Sequence, residues 1–141
     1  MTWPDGPGVV VLPDGRRVRG RGLRGGAPSD PQPELGVYLL GSPPPETAWP
    51  ARWIRWPDFR LPTDRDAALA TLREAHERAA SERVEVACGG GIGRTGTALA
   101  ILAVLSGDEP DEAIDRVRRS YHRRAVETPW QRRWIRSLSR T

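Results

Sequence analysis

The chain has 141 residues, 38% of them hydrophobic, which is one domain's worth and enough for a core without disulfide or metal staples. Its single cysteine excludes an intramolecular disulfide or a cysteine cluster for zinc, and its longest apolar run, Ala98 to Leu105, is far short of the roughly 18 residues that cross a bilayer. The net charge of +4 comes from arginine without any lysine, with acidic residues interspersed, so it reads as compositional bias; nucleic acid is not the expected partner, and an anionic substrate is compatible.

The opening MTWPDGPG lacks the basic-then-apolar pattern of a secretory signal, so a cytoplasmic protein is expected, with residues 1–141 as one domain and residues 1–8 disordered. Val9 to Leu12, Pro13-Asp14-Gly15 and Arg16 to Arg19 predict a hairpin, because Asp-Gly suits a tight turn. A polar, Pro-rich stretch from Ala27 to Leu35 leads to a short strand at Gly36 to Gly41. The link Ser42-Pro43-Pro44-Pro45 precedes a second strand, Trp53 to Trp56. Thr63 is placed to cap a helix running to about Glu82, with Leu69, Leu72, Ala75 and Ala79 along one face. Val84 to Ala87 reads as a buried strand, followed by a glycine-rich turn and a helix, Arg94 to Leu105, apolar almost all round. Pro110 opens a third helix with Ile114, Val117 and Tyr121 on its inner face. Thr128-Pro129-Trp130-Gln131, a capping box with proline at the first helical position, opens the last. Strands alternating with helices predict an α/β sandwich.

The strand-turn-helix junction carries the chemistry. Cys88 is followed by Gly89, Gly90, Gly91, Ile92, Gly93, Arg94 and Thr95, so four glycines fall in five positions and let the backbone wrap round a small anion. Successive N–H groups at a helix N-terminus suit phosphate, or sulfate and vanadate in its place. A nucleotide-binding Gly-Lys-Ser/Thr loop is excluded, because that position holds Arg94. Gly91-Ile92-Gly93-Arg94-Thr95-Gly96 matches a dinucleotide fingerprint, but helix follows where a second strand and its acidic residue belong. A third reading uses Cys88 and Arg94 together. A cysteine ringed by N–H donors near an arginine is favoured as the nucleophilic thiolate, and a planar guanidinium holds two phosphate oxygens at once. The plainer alternative makes Cys88 a small buried apolar residue and Arg94 a solvated helix residue.

The segment Cys88-Gly-Gly-Gly-Ile-Gly-Arg94-Thr95-Gly-Thr resembles the signature loop of the cysteine-based protein tyrosine phosphatase superfamily, including its dual-specificity branch. The resemblance implies a compact sandwich with a short central mixed sheet flanked by helices and the phosphate loop at a strand-to-helix junction. It implies metal-free, cofactor-free hydrolysis through a phosphocysteine. Thr95 falls where the family places a hydroxyl that stabilises the departing thiolate. Ala87 departs from the family, which has histidine before the cysteine.

Expelling an aryl or alkyl oxide needs a proton donor. Trp56-Pro57-Asp58-Phe59 is similar to the family's mobile acid loop, which makes Asp58 the expected general acid, 30 residues before Cys88. The same triplet at Trp3-Pro4-Asp5 lies in the terminal segment and is passed over. Glu127 and Gln131 resemble the family's paired glutamines that orient water, Glu127 standing at the residue usually credited with that role; alternatively, Gln131 only completes the capping box and Glu127 is an exposed helix-start residue. His76 and His122 are expected to be structural. Trp53, Trp56, Trp130 and Trp134 are candidates for the pocket mouth.

These readings point to a protein phosphatase acting on phosphotyrosine, with phosphoserine and phosphothreonine also open. Alternatives are a phosphatase of 5′-phosphorylated RNA or of a small phosphorylated molecule, and a non-catalytic phosphate-binding module. The absence of lysine between Cys88 and Arg94 argues against phosphoinositides.

Overall fold

A computed structural model describes residues 1–26 and 31–138; residues 27–30 of the expected Pro-rich link lie outside the described residues. The strands are β1 (Val9–Val11), β2 (Arg17–Gly22), β3 (Leu35–Leu40), β4 (Ala51–Arg55) and β5 (Val84–Cys88). They form one sheet in the order β1-β2-β5-β3-β4. Only β1 is antiparallel to its neighbour, so the sheet is mixed, as the resemblance implied. The Asp-Gly hairpin joins β1 to β2: the Gly15 N–H donates to the Leu12 carbonyl at 2.9 Å, and Gly15 has a φ of 90° that favours glycine.

Strand β5 is central and buried at every residue, as expected of a strand with parallel neighbours on both sides. Alternation sends Val84, Val86 and Cys88 into the main core. Glu85 points the other way into a buried ion network. It accepts from Arg19 at 2.8 Å, from Arg21 at 2.7 and 3.0 Å, and from the Tyr38 hydroxyl at 3.1 Å. Burial, then the Glu85 charge, pushes the Tyr38 hydroxyl up to about 12, so it stays protonated as a donor. The first eight residues, expected to be disordered, help cover this face. Trp3 is buried, donates its indole N–H to the Val84 carbonyl at 2.8 Å and lies 4.0 Å from the Arg19 guanidinium. An aromatic residue with a satisfied polar handle outweighs the local turn-rich composition.

The helices are α1 (Arg65–Arg78), α2 (Gly93–Leu105), α3 (Pro110–Ser120) and α4 (Pro129–Arg136). Helix α2 is buried from Gly93 to Val104 and packs on β5 and β2, with the other three helices against it. Its uniform apolarity is therefore that of a core helix. Helix α1 starts at Arg65 rather than after Thr63, because Asp64 accepts from the Ala67 N–H at 3.0 Å while the Thr63 N–H is committed to the Arg55 carbonyl. It also ends at Arg78, before Glu82, and buries Ala68, Leu72 and Ala75, with Leu69 partly buried against the core. Pro110 and the Thr128 capping box open α3 and α4 as the sequence predicts. No helix among the described residues is long and apolar enough to cross a membrane.

Candidate active site

The end of β5 delivers Cys88 to the floor of a small cavity of about 130 Å³. Backbone of Gly90, Ile92 and Gly93 forms part of its wall, and Arg94, Asp58 and Glu127 reach it from three other directions. Cys88 is only 2% exposed. The Gly91 N–H and the Thr95 hydroxyl lie 3.1 and 3.0 Å from its Sγ, two donors aimed at one sulfur. Helix α2 begins at Gly93 with no side-chain cap, so its first N–H groups face the loop. Among the described residues nothing accepts from the backbone N–H of Gly90 or Ile92.

Glycine is required at particular points of this wrap. Gly91 has a φ of 74°, and a Cβ there would come within 2.5 Å of the Gly22 nitrogen on β2. A Cβ at Gly93 would collide with the Glu127 carboxylate.

Arg94 is 6% exposed and donates from Nη1 to the Trp56 carbonyl at 3.0 Å, which joins the glycine-rich loop to the Trp56–Arg60 segment. Its Nε is 3.5 Å from Asp58 Oδ1 and makes no hydrogen bond to the described residues. Asp58 Oδ1 also accepts from the Phe59 N–H at 3.0 Å. The Trp56–Arg60 segment is pinned by hydrogen bonds of its own. The Arg60 carbonyl accepts from the Trp56 indole at 2.7 Å and from the Gln131 amide at 3.4 Å, while the Trp130 indole donates to the Phe59 carbonyl at 2.6 Å. Phe59 adopts a φ of 59°, uncommon for a side-chain-bearing residue, and stands exposed at the cavity edge.

Of the two residues paired in the sequence for water placement, Glu127 lines the cavity and Gln131 does not. Gln131 is fully buried, and its Oε1 accepts from the N–H groups of Glu127 at 3.0 Å and Thr128 at 3.2 Å. The tryptophan expectation is corrected for three of the four: Trp56 and Trp134 are core residues, packed edge to face at 5.7 Å, and Trp53 is exposed elsewhere. Trp130 does not line the Cys88 cavity itself, but it lines an adjoining one with Asp58 and Phe59, at the mouth of the site. Both histidines make contacts away from this cavity. His76 Nε2 lies 2.8 Å from Asp14, and His122 Nδ1 accepts from the Arg124 N–H at 3.0 Å.

Two residues here escaped the sequence reading. Arg24, in the turn after β2, lines the cavity, and its N–H donates to the Gly89 carbonyl at 3.1 Å. Tyr121 donates its hydroxyl to the Gly91 carbonyl at 2.5 Å. Neither has a local signal, because each lies far from the loop in sequence. A larger groove, about 570 Å³, lies behind the loop, but it holds no nucleophile and its Arg19 and Arg21 serve Glu85. Among the described residues no cluster of His, Cys, Asp and Glu is arranged to hold a metal ion.

A cysteine at a strand-to-helix phosphate loop, with an arginine six residues on, defines the class of cysteine-based phosphatases. Residues 37–125 match the family model described as protein-tyrosine phosphatase, and the chain belongs to that family of hydrolases, whose substrates are phosphorylated. Two uncharacterized proteins of Methanocaldococcus jannaschii are 37% and 35% identical to it over 86 residues, 61% of this chain. The chain spans little more than half of those relatives' length, 57% and 53%. Among solved structures, Tk-PTP in its active form is similar with a TM-score of 0.63 and 27% identity, over 73% of this chain and 75% of that one. A mutant form of Tk-PTP gives 0.66 and 28%, over 75% and 76%. PTPMT1 shares the fold, with a TM-score of 0.51 and 16% identity over 74% of each chain.

Proposed function

We propose that this chain hydrolyses phosphotyrosine in protein substrates through a phosphocysteine intermediate. One observation carries the reading: Cys88, Arg94 and Asp58 converge on one small cavity walled by loop backbone. The Cys88 thiolate attacks phosphorus in line with the ester oxygen, forming the S–P bond as the P–O bond breaks. Asp58 gives its proton to the departing oxygen, so the leaving group departs as a neutral phenol. Arg94 and the loop N–H groups hold the three equatorial oxygens throughout. Water then attacks the phosphocysteine, Asp58 takes its proton, and inorganic phosphate leaves with the thiolate restored. The Gly91 N–H and the Thr95 hydroxyl are the donors that receive the returning charge. Glu127, the member of its pair that reaches the cavity, orients the water.

Phosphotyrosine is favoured over phosphoserine by the depth of the sulfur: with Cys88 only 2% exposed, a long flat side chain reaches it most easily. Turnover of an aryl phosphate in chelator tests the reading. Cys88→Ser should abolish it, and Asp58→Asn should lower kcat by about 10²-fold for a poor leaving group and less for a good one. Hydrolysis that persists in Cys88→Ser removes the nucleophile assignment, and phosphoserine peptides cleaved as fast as phosphotyrosine peptides remove the specificity.

A further inference from the structure

Resting on the phosphatase reading, we infer that Tyr121 is a positioning residue for the phosphate loop: its hydroxyl orients the Gly91–Ile92 peptide so that the Ile92 N–H faces the site of the oxyanion. A trans peptide is planar, so a carbonyl and the following N–H point in opposite directions. Tyr121 reaches the Gly91 carbonyl from the groove behind the loop, at 2.5 Å. With that oxygen drawn backward, the Ile92 N–H is turned forward, and Ile92 lines the Cys88 cavity. The Arg24 N–H likewise fixes the Gly89–Gly90 peptide, two peptides earlier, by holding the Gly89 carbonyl at 3.1 Å.

The loop needs such a fastening. Three consecutive glycines carry no side chain to bias their peptides, and glycine enters both halves of the backbone map readily. A flipped 91–92 peptide would present a carbonyl oxygen to a bound anion in place of a donor. Ala87, just before Cys88, is fully buried and offers no polar group to prevent this. Tyr121 is seated for the task. A Cβ at Gly20 of β2 would lie 2.5 Å from its Cε1 and 2.7 Å from its Cζ, so the ring occupies the space that glycine leaves. Burial, and then the nearness of Cys88, raises its hydroxyl well above the ordinary tyrosine range, so it remains a donor.

Tyr121→Phe keeps the ring and removes the donor. It is expected to raise the inhibition constant for inorganic phosphate and lower kcat/KM about tenfold each, with the thermal midpoint unchanged within a few degrees. Gly20→Ala, which displaces the ring with its hydroxyl intact, should weaken phosphate binding similarly, and the double variant should be no worse than the weaker single one. Titrating phosphate into Cys88→Ser and into Cys88→Ser/Tyr121→Phe reads the loop without turnover. Equal phosphate affinity in these two proteins, or a loss that merely follows a fall in thermal midpoint, overturns the role of Tyr121 alone. A Cys88→Ser protein that binds no phosphate overturns the phosphatase reading together with it.

Discussion

At the scale of single residues, the proposed mechanism separates reactive groups from those that aim them. Cys88, Thr95 and Gly91 lie within a stretch of eight residues and bring two donors to one sulfur, so a local pattern in the sequence was enough to point to this cluster. Glu127 is harder to see in the sequence, because what distinguishes it from Gln131 is the direction of a side chain four residues away. Its carboxylate packs over Gly93, at the first turn of α2, so a Cβ there would displace it. If Glu127 orients the second-step water, Glu127→Ala spares formation of the phosphocysteine and slows its breakdown. Rapid-mixing measurements with an aryl phosphate should then show a burst approaching one equivalent of phenol, followed by a steady rate about tenfold below wild type. Equal slowing of both phases would contradict the assignment.

At the scale of elements, the Trp56–Arg60 segment and α4 form one unit. Gln131 accepts from two N–H groups at the start of α4 and donates to the Arg60 carbonyl, so it caps a helix and anchors a loop together. Gln131→Ala is expected to cost about 1–3 kcal/mol in chemical denaturation, from the lost cap and the buried donors left behind. Its burst amplitude should match wild type. The capping box itself was legible, since Thr-Pro-x-Gln is a local pattern. The start of α1 was not: Thr63 and Asp64 are both sound caps, and the choice is made by the Arg55 carbonyl, eight residues away. Trp56 was misplaced for a similar reason. Its burial depends on meeting Trp134 from the far end of the chain, and no window of sequence contains both.

At the scale of the whole molecule, the sheet has an apolar face toward α2 and a charged interior on its other side. Glu85 went unremarked in the sequence, because its partners come from β2 and β3 and only the parallel register assembles them. A buried carboxylate shared by two arginines and a tyrosine is costly to break, because two cations would be left without their anion. Glu85→Gln should lower unfolding free energy by about 3–5 kcal/mol, read from urea midpoints at constant slope. A shift under 1 kcal/mol would show that the arginines find water instead.

The three glycines after Cys88 look interchangeable on paper, yet their surroundings make them three separate constraints. A methyl at position 89 would sit 3.4 to 3.5 Å from the guanidinium nitrogens of Arg24 and Arg94; at 90 it would meet only Arg24, at 3.8 Å; at 91 it would strike the main chain of β2. Room for a side chain along this run is therefore graded: position 90 has space, position 89 sets size against the two cations, and position 91 is closed.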